Sequence, residues 1–405
     1  MEFSHNPANV MHVDINSCFA TVEQQANPLL RGKPLVVAAY VEHHGCILAA
    51  SVEAKKLGIK TGMRVGDAKT IYRPLMVLAP DPEKYRFVNR ALRTILESYT
   101  PDVSVESIDE MVMSVQGSPM VIAEEIKQRI KNEIGEWITV SIGIAPNRYL
   151  AKVASGLQKP DGLVCITREN IETVFSSLAL ENLCGIKEGN ATRLRVAGIM
   201  SPRDMLAVSP KGLQYAFRSI VGYHWWMRLH GYEAPPFAEG FGGPQQKSFG
   251  QSHALGQPRN PDDPRLWQIL SQLIMKMGKR LRDDHFTASG TSVSLLFDDH
   301  THWGLQQKTG SKLFADADFY SRARILLAQA PKRPVRILAV TCFELTADLY
   351  VQKSLFREEN RKEAITRAID AMQDRFGSYV VSTGRMLAMN EKVLDRIAFG
   401  RIRST

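Results

Sequence analysis

Three carboxylates in this 405-residue chain sit in settings where a carboxylate has work to do. Asp14 ends a short apolar segment that begins at Met11. Asp109 and Glu110 lie side by side in an alternating run, Val103 to Val115, at the point where that run must turn. Burying such groups is costly unless a cation or hydrogen-bond donors neutralise them. Oxygen ligands of this kind, on adjoining strands, suit a hard divalent cation. Two plainer readings compete: Asp109-Glu110 as a polar turn, and Asp14 as a helix cap. From these three residues alone, the plainer readings stand ahead.

The elements that must position them alternate between strand and helix. Met11 to Asp14 reads as a strand, followed by a turn and a helix start at Phe19. Pro34 to Ala39 is a second strand-like run, and Ala49 to Leu57 has helical composition ending at Gly58. Tyr85 to Tyr99 has the apolar spacing of a helix (Phe87, Val88, Leu92, Ile95, Leu96). Val103 to Val115 predicts two strands in a hairpin near Ser107–Glu110. Ala123 to Ile134 predicts an amphipathic helix, and Ile138 to Ile144 a strand closed by Pro146. The first 165 residues therefore read as a mixed α+β unit of β-α-β-β-α-β character. Residues 168–232 read as helical, and 233–246 carry the Pro and Gly of a linker. From Lys247 to Asp348 the pattern is strand, helix, strand, helix, strand, and a tail of some 55 residues follows.

Composition sets the outer limits. A chain of this length suggests two to four domains. With 44% hydrophobic and 23% charged residues it is globular rather than disordered. No apolar run approaches a membrane span, and Met1 to Asn9 lacks the layout of a signal peptide, so a cytoplasmic protein off the membrane is expected. The five cysteines are scattered without a CxxC pair, which argues against a zinc site or a disulfide framework. The net charge of +9 favours a polyanionic partner.

An ordered series of motifs shifts the weighing of the carboxylates. It comprises Val13-Asp14 with Phe19 five residues on, Gly32-Lys33-Pro34, Ser51-Val-Glu-Ala-Lys-Lys-Leu-Gly-Ile-Lys-Thr-Gly-Met, Ser107-Ile-Asp-Glu, Gly143-Ile-Ala-Pro-Asn-Arg-Tyr-Leu-Ala-Lys-Val-Ala-Ser and Lys159-Pro-Asp-Gly. The series resembles the Y-family DNA polymerases, near the bacterial DNA polymerase IV group, over nearly the whole chain.

The resemblance implies a right-hand polymerase: a palm at 1–17 and 82–167, fingers at 18–81, a helical thumb at 168–232, a linker at 233–244 and an α/β little finger at 245–348. It implies two magnesium ions held by Asp14, Asp109 and Glu110, with the carbonyl of Ile15 completing one of them. It places Phe19 as the steric gate under the sugar and Lys159 on the triphosphate. Lys55 stands where the family usually has arginine, and Val52 where many members have a phosphate-binding tyrosine. Leu183-Cys-Gly185-Ile-Lys187 resembles a helix-hairpin-helix that contacts a DNA phosphate, with Lys187 in place of the second glycine. Residues 245–347 carry 14 Lys and Arg against nine Asp and Glu, which suits a grip on duplex backbone through Lys247, Lys332, Arg333 and Arg336. In the tail, Gln352-Lys-Ser-Leu355-Phe356 resembles the bacterial sliding-clamp peptide, with Lys353 where leucine is common.

The implied activity is template-directed, low-fidelity translesion synthesis from deoxynucleoside triphosphates by a monomer. A noncatalytic scaffold relative is the competing reading, although it would be expected to lack the three carboxylates. A palm-fold nucleotidyl cyclase would share the metal chemistry but needs no thumb or little finger.

Overall fold

The computed structural model describes residues 3–235, 247–347, 357–387 and Val393. The described chain divides into two compact units, one up to residue 235 and one from 247 onward. Among the described residues no helix is long and apolar enough to cross a membrane.

Among its described residues the first unit holds eight strands: β1 (Val10–Ile15), β2 (Leu35–Ala38), β3 (Ile47–Ala50), β4 (Met76–Leu78), β5 (Val103–Val105), β6 (Glu110–Ser114), β7 (Val140–Ala145) and β8 (Leu163–Cys165). Five of them form the main sheet, in the order β5-β6-β1-β7-β8. β1 lies at its centre, antiparallel to both β6 and β7, and every one of its residues is buried. That explains why β1 and β7 read as continuous apolar runs rather than alternating ones. The remaining three strands make a small sheet, β3-β2-β4, over a separate core that includes Val36, Ile47, Ile59 and Val65.

Two helices frame the main sheet with well-defined starts. Pro82–Glu97 begins with Pro82 in its first turn, and the Asp81 carboxylate accepts from the backbone of Glu83 and Lys84. Arg148–Leu157 begins at Asn147, whose Oδ1 accepts from Leu150 N at 2.8 Å. This helix lies hard against β7 at Gly143, where an added Cβ would fall 2.1 Å from the Ala151 carbonyl oxygen. Only glycine permits that approach, and it brings Lys152 to the edge of the site. Residues 171–229 are helical and share a core around Phe175, Leu194, Leu213, Trp225 and Trp226.

In the second unit β9 (Ser248–Arg259), β10 (Phe286–Phe297), β11 (His302–Leu313) and β12 (Val335–Ala347) form an antiparallel sheet ordered β11-β10-β12-β9. The helices Pro264–Asp283 and Asp316–Leu327 pack against it.

Two elements differ from the sequence expectation, and a third lies in the tail, where the sequence left the structure open. Ala49 and Ala50 belong to strand β3, and the helix expected from Ala49 starts only at Val52. Pairing with β2 overrides the helical preference of alanine. β11 was not expected: it is a mostly exposed edge strand with little apolar content. The tail contains a helix, Arg357–Phe376. Of the expected linker, 236–244 lies outside the described residues.

That tail helix is fastened to the second unit by a buried ion pair. The Arg282 guanidinium donates to both Asp370 oxygens at 2.6 and 2.8 Å and to Asp316 Oδ1 at 2.9 Å. Arg282 and Asp370 are both buried. Removing one partner of a buried pair costs about 3–5 kcal/mol, whereas an apolar replacement of both can be neutral. Asp370→Ala is therefore expected to lower the melting transition of the second unit by several degrees in calorimetry of the full chain. Arg282→Met, Asp316→Asn and Asp370→Leu together, which leave no charge of this cluster without its partner, are expected to recover most of the loss. An unchanged transition in Asp370→Ala would show that the tail helix is not held there.

Candidate active site

The three carboxylates meet at the strand ends of the main sheet. Asp14 is the register partner of Glu110 across β1 and β6, and Ile15 N donates to the Asp109 carbonyl at 2.9 Å. The cap reading of Asp14 does not fit, because the helix that follows, Cys18–Ala26, is preceded by Ser17; the turn reading holds for Asp109, which lies between β5 and β6, while Glu110 begins β6. Asp14 is buried, while Asp109 and Glu110 are half-buried.

Each carboxylate has a local partner. Lys159 Nζ lies 2.6 Å from Asp14 Oδ2, and Lys152 Nζ donates to Glu110 Oε2 at 2.6 Å. Ser107 Oγ donates to Asp109 Oδ1 at 2.5 Å and also accepts from Glu110 N. Burial pushes the Asp14 carboxyl up to about 6 against the pull of Lys159, with Asp109 and Glu110 adding to the rise. Burial likewise raises Asp109, against its Ser107 hydrogen bond. Burial acts on Glu110 too, but the Lys152 hydrogen bond and nearby positive charge outweigh it and hold that carboxyl below its ordinary value. His12, two residues before Asp14, is driven down to about 4 by burial, so its imidazole is neutral at pH 7.

Two cavities flank this centre. One of about 240 Å³ is lined by Asp14, Ile15, Phe19, Lys55, Asp109 and Lys159. The other, about 410 Å³, is lined by Asp14, Glu110, Lys152, Ser155, Lys159 and Cys184. Asp14 and Lys159 line both. In the first cavity the Phe19 ring is almost wholly buried and stacks on Tyr85 with centroids 4.3 Å apart and planes 13° apart. Tyr85 OH donates to Glu23 Oε1 at 3.0 Å, and Lys84 holds the other Glu23 oxygen at 2.9 Å. Lys55 Nζ donates to Ser17 Oγ at 2.8 Å. Val52 is the first residue of its helix, with Ser51 as the cap.

The remaining expected contacts are scattered. Gly185 has φ +93° and precedes Lys187, the residue that starts the helix Glu188–Val196. Both are exposed, and no side chain caps that helix start. In the second unit Lys247 is exposed, Lys332 lies 3.8 Å from Asp262, Arg333 3.2 Å from Asp299 and Arg336 3.0 Å from Asp298. Gln352, Leu355 and Phe356 lie outside the described residues.

Sequence reasoning missed Lys152, His12 and Tyr85. Lys152 sits seven residues before Lys159, and His12 shares a strand face with Asp14 through the two-residue period. Those spacings were visible, but their meaning depends on cross-strand pairing. Tyr85 gave no signal beyond an apolar helix position.

Among the described residues no group of three His, Cys, Asp or Glu side chains is arranged as a ready metal site. The donor chemistry still fits a hard cation: three carboxylates crowd one strand edge, and two of them are already neutralised by ammonium groups. Hard oxygen donors beside cavities that also present Lys55, Lys152 and Lys159 suit the chemistry of phosphoryl or nucleotidyl transfer.

The comparisons narrow that class. The family model of the impB/mucB/samB family matches residues 13–156, and that of its C-terminal domain matches 246–355. DNA polymerase IV of Moorella thermoacetica is 32% identical over 389 residues, covering 92% of this chain and 94% of the relative. DNA polymerase IV of Pelotomaculum thermopropionicum is 31% identical over the same span, again 92% and 94%. Among solved structures, a Y-family DNA polymerase chimera built from Dbh and Dpo4 aligns with a TM-score of 0.72 at 26% identity, covering 84% of this chain and 99% of that one. The insertion ternary complex of Dbh DNA polymerase aligns with a TM-score of 0.56 at 25% identity, covering 82% and 98%. The chain belongs to the impB/mucB/samB family, the Y-family DNA polymerases.

Proposed function

We infer that this chain is a template-directed DNA polymerase that adds deoxynucleotides to a primer 3′ end and serves translesion synthesis. The observation that carries the reading is the meeting of Asp14, Asp109 and Glu110 at one strand edge, beside a cavity lined by Phe19 and Lys159. The family membership fixes the activity, and relatives aligned over nearly their whole length are DNA polymerases IV.

In this reading the main sheet and its helices are the palm (1–17, 82–167), residues 18–81 the fingers and 168–232 the thumb. Residues 233–244 are the linker, 245–348 the little finger and 349–405 a clamp-binding tail. Asp14, Asp109, Glu110 and the Ile15 carbonyl would hold two Mg²⁺ ions. When bound, such ions stabilise the attacking and leaving oxygens of the transfer. The chain's own residues do the rest. Lys159 and Lys55 offset triphosphate charge in the smaller cavity. Lysine at 55 supplies charge without a bidentate fork, and Val52 supplies no hydroxyl. Phe19, backed by Tyr85, sits where a 2′ hydroxyl would collide. The larger cavity, beside Glu110 and Lys152, leaves room for the primer terminus.

Gly185 and Lys187 would hold a backbone phosphate at the exposed start of the helix Glu188–Val196. Lys247, Lys332, Arg333 and Arg336 would grip the duplex, the last three by exchanging an aspartate for a phosphate. The protein acts as a cytoplasmic monomer tethered to a sliding clamp through Gln352, Leu355 and Phe356. Leu355→Ala with Phe356→Ala is expected to abolish stimulation of primer extension by the clamp while leaving clamp-free extension intact. Full stimulation of the double variant would remove the peptide's role.

The test of the reading is primer extension by the full chain on an undamaged template. With magnesium and all four deoxynucleotides the wild type is expected to extend the primer, and a chelator is expected to stop it. A noncatalytic scaffold would bind the DNA and leave the primer length unchanged. Retention of all three carboxylates in one place speaks against that alternative.

A further inference from the structure

Asn16 opens the turn that follows β1, and it is 3% exposed. Every polar atom of its side chain is used. Nδ2 donates to Ser141 Oγ at 2.9 Å, while Oδ1 accepts from Asp161 N at 2.7 Å and from Thr139 Oγ1 at 3.1 Å. Its backbone N–H donates to the Thr139 carbonyl at 2.9 Å. The amide orientation follows from the Asp161 N–H, which can only donate.

Ser141 ties down the same stretch of chain. Its Oγ accepts from Gly162 N at 3.2 Å and donates to the Gln158 carbonyl at 3.4 Å. Ser141 is also the register partner of Asp14 across β1 and β7. The segment 158–162 is thus fixed on both sides of Lys159 by one buried pair, Asn16 and Ser141. From the other side Lys127 and Lys131 each hold the Asp161 carboxylate at 3.1 Å, and Asp161 itself has φ +56°. Lys159 then reaches back to Asp14 at 2.6 Å.

We propose that Asn16 is a positioning residue that fixes Lys159 relative to Asp14 and so sets how tightly the chain holds the triphosphate of the incoming nucleotide. The proposal rests on the polymerase reading, with Lys159 as a triphosphate contact. A half-exposed lysine has several rotors, and ordering it costs entropy that a pinned backbone reduces. Without the Asn16 amide, Asp161 N–H loses its buried acceptor, and the segment that carries Lys159 loses the link to the strand that carries Asp14. Small displacements of a charge-bearing group weaken both binding and alignment.

The test is single-nucleotide insertion kinetics with the full chain on a primer–template. Asn16→Ala is expected to raise KM for the correct deoxynucleotide about tenfold, the size of the one lost bond, from Asp161 N–H, that reaches the Lys159 segment, with kcat within about threefold of wild type. Combined with Lys159→Ala, it is expected to do no further harm, because both changes remove one function. Multiplying effects in the double variant, or a fall in kcat with KM unchanged, would overturn the proposal and make Asn16 part of the fold or of the carboxylate centre. Should Asn16→Ala not fold, Ser141→Ala gives the same cycle: it removes the hydroxyl shared by Gln158 and Gly162, and a KM effect of about threefold that vanishes in the Lys159→Ala background is expected. Lys159→Ala alone separates the two levels of the argument. If it leaves KM unchanged while wild type still extends primers, the positioning proposal falls and the polymerase reading stands. If wild type extends no primer, the polymerase reading itself falls.

Discussion

Asp109→Ala is expected to lower kcat for nucleotide insertion by about a thousandfold or more, since charge stabilisation at the transferring phosphoryl group is worth several kcal/mol and each 1.4 kcal/mol is about tenfold. Asp109 joins Asp14 and Glu110 at one strand edge, where burial already raises two of the three carboxyls. Alanine removes a half-buried charge from a like-charged group, so the metal-free variant is expected to melt no lower than wild type. DNA binding, measured by gel shift, is expected to persist, since the contacts proposed for it are basic residues elsewhere. A variant that inserts nucleotides at wild-type rate would remove Asp109 from the centre. A variant that loses activity together with its melting transition would show a structural role instead.

The second large effect concerns the sugar. Phe19→Ala is expected to reduce discrimination between deoxy- and ribonucleotides by roughly ten- to a hundredfold, within the about 1–3 kcal/mol that an overpacked contact costs. The ring cannot recede to admit a 2′ hydroxyl. It is stacked on Tyr85, Tyr85 is held by Glu23, and Glu23 is held by Lys84. Removing so buried an aromatic also costs about 3–5 kcal/mol of stability. The informative quantity is therefore the ratio of kcat/KM for the two sugars at one temperature, which a general loss of folded protein leaves unmoved. Phe19→Leu, with a smaller cavity, is expected to fall between. An unchanged ratio in Phe19→Ala would take the gate away from this residue.

Much of this was legible in the sequence, for identifiable reasons. The strand that ends at Asp14 and the helix that carries Phe19 are adjacent in the chain, so their spacing alone placed both. The Ser107–Glu110 hairpin was legible because alternation on each side of a polar turn has few other solutions. The helix expected over Tyr85 to Tyr99 showed itself through its apolar period, although the Asp81 cap and Pro82 start it three residues earlier. Illegible features depended on pairing or docking between distant segments. Lys152 and His12 acquire their roles only once β1 pairs with β6 and Gly143 admits the helix Arg148–Leu157. β11 lies at a sheet edge and needs no apolar pattern, so it offered none. Arg282 gave no signal of a buried pair in the sequence, because its partner Asp370 comes from the distant tail helix. Asn16 looked like a turn residue, and only pairing of β1 with β7 and the packing of segment 158–162 give its side chain three partners, Thr139, Ser141 and Asp161.

The most direct measurement is single-nucleotide insertion by the purified full chain, with magnesium, opposite each of the four template bases in turn. Incorporation of the complementary deoxynucleotide in preference at every template base is the expected result, with errors more frequent than in replicative synthesis. No extension of any primer, or extension whose product ignores the template base, would contradict the assignment of Asp14, Asp109 and Glu110 to a template-directed polymerase centre.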